Sequence, residues 1–167
     1  MGPQETRESG RNCNGWLEFV NRFKLPTARY RHDAVFVPTA FTFRDLKVWQ
    51  QGIELVEVCY RLTATFPRDE LYGLTSQLRR AVVSIPSNVA EGHGRRTTRA
   101  YRHHVSIAIG SHAEFATCLE LASRLRFVSS ADLDRVVTLS DSVGRLLYGL
   151  HRALARRISD RPPHPNL

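Results

Sequence analysis

At 167 residues, the chain is long enough to form one domain with a buried core that needs no disulfide or metal. Lys and Arg number 24 against 16 Asp and Glu, a net charge of +8, while 42 % of the residues are hydrophobic, as in a globular protein. This charge favours a polyanionic partner such as RNA, DNA or an acidic protein. Only Lys24 and Lys47 are lysines, so arginine, which binds phosphate bidentately, supplies the charge. A high-GC coding sequence is the alternative cause of this bias.

Neither membrane insertion nor secretion is indicated. No apolar run approaches the roughly 20 residues of a membrane span, and the N-terminus lacks the apolar core of a secretory signal. Three cysteines, Cys13, Cys59 and Cys118, form no CxxC pair and match no metal-ligand spacing. We therefore predict a soluble, cytoplasmic protein with reduced cysteines, no metal and no membrane partner.

Residues 1–42 show no sustained period and are predicted to be a flexible N-terminal leader. From Phe43 onward the apolar residues recur at gaps of three and four, as on helix faces. The first predicted helix carries two such stripes, which indicates more than one neighbour. One stripe consists of Leu46, Trp49, Ile53, Val56, Tyr60 and Thr63, and the other of Val48, Leu55, Cys59, Leu62 and Phe66.

The second predicted helix opens at Pro67 to Glu70 and runs to Gly92. Pro86 lies inside its apolar pattern, where it removes a backbone donor and crowds the carbonyl of Val82. The helix therefore either kinks at Pro86 or stops and restarts with Ser84 as a cap.

Two further helices follow, one capped by Thr97 or Thr98 and one by the segment Ser129 to Asp132. Their main stripes are Tyr101, Val105, Ala108, His112, Phe115, Leu119 and Ala122, then Leu133, Val136, Ser140, Val143, Leu147, Leu150 and Leu154. No strand pattern appears. The predicted fold is all-α, an antiparallel up-and-down four-helix bundle over 43–158 with a disordered tail over 159–167.

Two basic clusters are the candidate nucleic-acid-binding residues. The first lies at the start of the third helix, where the helix dipole is already positive, so stacked cations indicate an anion such as phosphate. The second lies near the end of the last helix, where the dipole favours cations in any case. The alternative for the first cluster is a solvated loop whose arginines form ion pairs. The alternative for the second cluster is a solvated helix face. The residues are Arg95, Arg96, Arg99, Arg102 and His103, then Arg145, Arg152, Arg156 and Arg157.

Two adjacent arginines of the second helix, Arg79 and Arg80, point in different directions. We expect at least one of them to form a buried or inter-subunit ion pair, for example with Glu91 or Glu114.

An enzyme is not predicted, because the chain has no GxSxG, phosphate loop, HExxH or Glu-x-x-His motif. No catalytic residue and no cofactor are therefore assigned.

Three runs of sequence resemble the four-helix-bundle proteins known as 23S rRNA intervening-sequence proteins: FRDLKVWQQGIEL, FPRDELYGLTSQLRRAVVSIPSNVAEG and AIGSHAE. The resemblance covers about Phe43 to Ile158. It implies a small, all-helical and typically homopentameric protein. It also implies a relationship to the accessory variability determinant of diversity-generating retroelements, which binds nucleic acid and a reverse transcriptase. No catalytic residue is established for the family, so none is implied.

The resemblance extends to residues with structural or inter-subunit roles, namely Arg79, Arg80, Ser84, Pro86, Asn88, Glu91, Gly92 and Glu114. Pro86 then becomes a built-in bend, with Ser84 or Asn88 satisfying the carbonyl that it frees. The two-stripe first helix also predicts a homo-oligomer, since subunits must bury its second apolar face.

The predicted function is non-enzymatic, electrostatic binding of RNA or DNA by a homo-oligomer. Its sequence readout should be poor, because the basic residues have few aromatic neighbours beyond Tyr101. The alternative is a protein-interaction scaffold, such as an accessory subunit of a reverse transcriptase.

Overall fold

The computed structural model describes residues 42–95 and 97–160, and within them it has four α-helices and no strand. These are α1 (Lys47–Thr63), α2 (Leu74–Gly94), α3 (Thr98–Arg124) and α4 (Ser130–Ser159), with 3₁₀ turns at Phe43–Asp45 and Arg68–Leu71. The predicted all-α class is confirmed, and the arrangement is consistent with a four-helix bundle. Apart from Thr42, Ser159 and Asp160, the predicted leader and tail lie outside the described residues.

One apolar core is shared by the four helices. Both α1 and α3 contact α2 and α4. The largest fully buried side chains are Phe115, Leu55, Leu78, Ile85 and Leu147. On α1 the stripe that begins at Val48 faces this core, whereas Trp49 and Val56 of the other stripe are only partly buried. The second apolar face of α1 is thus only partly covered by the described residues.

The start of α2 differs from the prediction. Residues Arg68–Leu71 form a separate 3₁₀ turn, and α2 begins at Leu74 after Gly73. The Glu70 carboxylate accepts a hydrogen bond from the Leu74 N–H at 2.9 Å, which satisfies one of the free donors at the helix start. The end also differs, since α2 continues to Gly94, two residues beyond the expected end at Gly92.

α2 passes through Pro86 as one continuous helix, so a stop and restart with Ser84 as cap is wrong. Pro86 leaves the Val82 carbonyl without its usual donor, and no side chain of the described residues donates to that carbonyl. Asn88 Nδ2 instead donates to the Ser84 carbonyl at 2.9 Å. The expected rescue of the freed carbonyl by Ser84 or Asn88 is therefore also wrong.

Both predicted cap regions are confirmed. Thr97 precedes α3, and its hydroxyl accepts from the Ala100 N–H at 3.2 Å. Ser129 precedes α4, and its hydroxyl accepts from the Asp132 N–H, also at 3.2 Å. The Thr97 cap thus lies in the short connection between the end of α2 and the start of α3.

Among the described residues, no helix combines the length and the apolar character needed to cross a membrane.

Candidate nucleic-acid interface

The five members of the first basic cluster do not act as one group. Arg95 forms an ion pair with Glu91, which neutralises its charge. Arg96 lies outside the described residues. Arg99, Arg102 and His103 are exposed on the first two turns of α3. Among the described members of the cluster, these three residues are exposed and form no ion pair, so they are the part that is free to contact a phosphate.

Arg102 connects α3 to α4, the helix that carries the second cluster. Its Nε–H donates to His151 Nε2 of α4 at 3.2 Å, which makes that ring nitrogen the unprotonated acceptor. Around this contact lies a cleft of about 250 Å³ between α3 and α4. It is lined by Arg99, Arg102, His103, Ser106 and His151. Arg102 and His151, the neighbour of Arg152, thus meet, although nearly fifty positions separate them in sequence.

A second cleft, of about 570 Å³, lies between the same two helices. Its lining residues are His112, Asp141, Gly144, Arg145, Tyr148 and Arg152. We call the two clefts together the α3–α4 groove. Arg145 and Arg152 are exposed, and Asp141 is the acidic residue among the lining side chains. Arg156 and Arg157 are exposed on the last turns of α4 but line neither cleft.

Tyr148 is the functional candidate that the sequence reasoning missed. It lies between Arg145 and Arg152 in the second cleft, and 57 % of its surface is exposed. The spacing of these three residues, three and then four positions, was the available signal. Tyr101, by contrast, is half-buried with an unpartnered hydroxyl, and burial raises its pKa. Tyr148 is therefore the exposed aromatic ring of the α3–α4 groove.

His112 is held firmly in the wall of the second cleft. Its Nε2 lies 2.9 Å from the Ser140 carbonyl and 3.0 Å from the Ser140 hydroxyl. Because a carbonyl only accepts, Nε2 carries the ring proton and donates. Gly144 makes room for the ring, since a Cβ at that position would lie 2.9 Å from His112 Cε1.

The predicted structural residues of α2 form a polar network with α3. Asn88 Nδ2 donates to the Ser84 hydroxyl at 3.0 Å, and that hydroxyl lies 2.8 Å from the hydroxyl of Ser111. Asn88 Oδ1 is 3.4 Å from Nδ1 of His104, whose Nε2 is 3.7 Å from the Glu91 carboxylate. These residues join α2 to α3.

Arg79 and Arg80 have other partners than those expected. Arg79 Nε donates to the Thr63 hydroxyl at 2.8 Å, and its guanidinium lies over the Tyr60 ring at 4.7 Å. Arg80 donates to the Gln77 carboxamide at 2.7 Å. Within the described residues neither arginine pairs with Glu91 or Glu114, so the intrachain form of that prediction is wrong. An inter-subunit pair stays a prediction.

The Arg79 side chain also borders a cleft with exposed apolar residues. A cleft of about 600 Å³ beside it is lined by Tyr60, Leu71, Tyr72, Thr75, Ser76, Arg79, Arg80, Val83 and Ser84. Tyr72 is 91 % exposed and Leu71 is 49 % exposed. We call this surface the α1–α2 cleft. Exposed apolar side chains of this size mark a contact surface.

The cysteine and metal chemistry of the described residues is limited. Cys59 and Cys118 carry free thiols. Burial, opposed by the charge of Arg79, raises the pKa of Cys59 to about 12, and burial with the Glu114 carboxylate raises that of Cys118. Across residues 42–95 and 97–160, no three His, Cys, Asp or Glu side chains are grouped so that they could hold a metal ion.

These features define a basic, all-α protein with an arginine-lined groove between two helices. A family model described as 23S rRNA-intervening sequence protein matches residues 44–149, and the chain belongs to this family. A similar solved structure is that of a protein of unknown function from the S23 ribosomal protein family of Bacteroides thetaiotaomicron. The TM-score is 0.59 and the identity 18 %, with 62 % of this chain and 97 % of that chain covered, a likeness that shows the fold alone. A comparison with curated proteins finds no match.

Proposed function

We propose that this protein is a non-enzymatic, cytoplasmic homo-oligomer that binds RNA or DNA electrostatically through the α3–α4 groove. The observation that carries the proposal is the hydrogen bond from Arg102 to His151, which places the first basic cluster against the helix that carries the second. The name of the family points in the same direction. The proposal assigns no catalytic residue and no cofactor.

Charge complementarity supports phosphate as the ligand group. Arg99 and Arg102 line the first cleft and Arg145 and Arg152 the second, while Asp141 is the acidic lining residue. The groove begins at the N-terminal end of α3, where the helix dipole adds to the positive potential. Contacts of this kind position a phosphate backbone but carry little sequence information.

The test is the salt dependence of binding to mixed-sequence RNA and DNA, measured by fluorescence anisotropy at about 50 and 200 mM salt. Each lost phosphate contact should lower the slope of log K against log salt by about 0.7–0.9. The double variant Arg102→Ala, Arg145→Ala should therefore bind more weakly and with a shallower slope.

The matched control is Arg61→Ala, Arg124→Ala, which removes the same charge from two exposed arginines that line neither cleft. It should bind nearly as wild type does. Equal losses in the two double variants would show that only net charge matters, and binding that ignores salt would refute the proposal.

We also propose the up-and-down topology and a bend of α2 at Pro86. His112 of α3 contacts Ser140 of α4. Earlier on α3, Arg102 contacts His151, which lies later on α4. Such opposite progression supports antiparallel neighbours, and the short connections from α2 to α3 and from α3 to α4 favour the same arrangement. The missing N–H of Pro86 supports the bend.

Self-association into a ring, a pentamer by the family resemblance, is part of the proposal. The exposed Tyr72 and Leu71 and the partly buried Trp49 and Val56 support it, because they leave apolar surface uncovered on α1 and at the turn before α2. Native mass spectrometry at micromolar concentration is the test. Tyr72→Asp should lower the oligomer mass, and a monomeric wild type would refute the assembly.

The α1–α2 cleft also favours a second candidate function, a protein-interaction scaffold such as an accessory subunit of a reverse transcriptase. Its exposed Tyr72 suits an apolar protein partner as well as a second copy of the chain. The two are distinguished by adding a reverse transcriptase encoded beside this gene to the purified protein. Complex formation that Tyr72→Asp abolishes would favour the scaffold.

A further inference from the structure

We propose that the second cleft of the α3–α4 groove selects single-stranded over duplex nucleic acid by stacking an unpaired base on Tyr148. This inference rests on the proposed function and names its ligand class. The juxtaposition that carries it is one exposed aromatic ring between two exposed arginines on one face of α4, beside a fixed imidazole.

The spacing on α4 suits one nucleotide step with phosphates on both sides. Arg145, Tyr148 and Arg152 follow each other at three and four positions, so their side chains share one helix face. The two arginines are about 10 Å apart along the helix axis at 1.5 Å per residue. Guanidinium groups can bind the flanking phosphates while the ring of Tyr148 meets a base.

The opposite wall of the cleft is rigid. His112 is fixed by its hydrogen bonds to Ser140, and its ring edge lies over Gly144, which has no side chain to displace it. The cleft volume of about 570 Å³ falls in the range of sites for small organic ligands. A flat base therefore finds a preformed space beside Tyr148.

A duplex cannot use this arrangement. Its bases are stacked inside the helix and present only their edges, so a duplex would touch the arginines but not the face of Tyr148. An unpaired base exposes its π-face to an aromatic ring, a contact that tolerates any sequence. The arginines thus give general affinity, and Tyr148 adds affinity for single strands only.

The experiment measures anisotropy with the full chain and two DNA probes, an oligothymidylate of about twelve nucleotides and a duplex of similar length. Tyr148→Ala should weaken single-strand binding about tenfold or more, and duplex binding by less than about twofold. Tyr148→Phe keeps the ring and should bind as wild type does. Asp141→Asn, which removes the carboxylate from the cleft, should strengthen binding to both probes.

A second measurement needs no variant. An oligonucleotide with abasic sites should bind the wild-type protein about tenfold more weakly than the intact strand does. The Tyr148→Ala variant should bind this abasic oligonucleotide as tightly as the wild-type protein binds it. If Tyr148→Ala lowers the affinity for both probes equally, or does not lower it, base stacking on Tyr148 is refuted. The proposed electrostatic binding would still hold in that case. Failure of both probes to bind the wild type would overturn the proposed function as well.

Discussion

α2 and α3 approach each other closely at Gly92, where we predict that one added methyl group destabilises the fold. A Cβ on this buried glycine would lie 2.7 Å from Cδ2 of Tyr101 and 2.8 Å from Cβ of His104. Neither atom is the far end of a flexible side chain, because one belongs to a half-buried ring and the other adjoins the backbone. Relief therefore requires the start of α3 to move.

The expected change in the free energy of unfolding is the sum of two opposing contributions. Replacing a helical glycine by alanine normally stabilises by about 0.5–1 kcal/mol. Overpacking of a tight contact costs about 1–3 kcal/mol. Gly94→Ala and Gly110→Ala are matched controls, because a Cβ at either position meets nothing within 4 Å. All three variants share the gain in helix propensity, so a comparison between them isolates the cost of overpacking. Gly92→Ala should therefore be less stable than either control variant by about 1–3 kcal/mol.

Urea denaturation monitored by circular dichroism measures these differences, with a melting-temperature change of roughly 2–4 °C per kcal/mol as a check. Gly110→Ala should melt above wild type and Gly92→Ala below it. A Gly92→Ala variant as stable as Gly94→Ala would refute the close approach. A destabilised Gly110→Ala would instead show that another subunit covers that surface.

Three further predictions concern local features. Because burial raises the pKa of the Cys59 thiol from 9.0 to about 12, the unfolded state binds fewer protons above pH 9, and stability should fall by about 1.4 kcal/mol per pH unit as pH rises toward 12. Urea titrations at several alkaline pH values should show a shallower decline for Cys59→Ala, and an equal decline would contradict the assignment. Gly144→Ala should displace His112 from Ser140 and lower the free energy of unfolding, measured by urea denaturation, by about 1–3 kcal/mol. In the Gly144→Ala background, the additional substitution Ser140→Ala should not lower the free energy of unfolding further. Thr97→Ala should lower stability by about 1 kcal/mol in thermal unfolding, as expected for a lost N-cap, and an unchanged melting curve would exclude the cap.

Several features of the fold could be predicted from local sequence. The gaps of three and four placed four helices, and the stripes ending in Ala122 and Leu154 do face the core, because helical periodicity is a property of neighbouring residues. The cap at Thr97 was also predictable from residue type and position. The start of α2 was not, because the Glu70 carboxylate shifts it to Leu74.

The partners of long polar side chains were the least predictable part of the site. The reach of Arg79 to Thr63, rather than to Glu91, depends on which helix face meets α1. Glu91 was already engaged by Arg95, one turn away on its own segment. Sequence spacing limits the candidate partners of a charge, but only the packing of the helices selects among them.

The sequence by itself determined the helical class, the surplus of arginine and the membership in a family, since periodicity, composition and motif are all written along the chain. The tertiary structure decided what those arginines surround. Packing of α3 against α4 joined Arg102 to His151 and left Tyr148 exposed, whereas packing of α3 against α2 buried much of Tyr101. The physical reason is that a groove belongs to two helices at once, and its lining depends on their relative rotation.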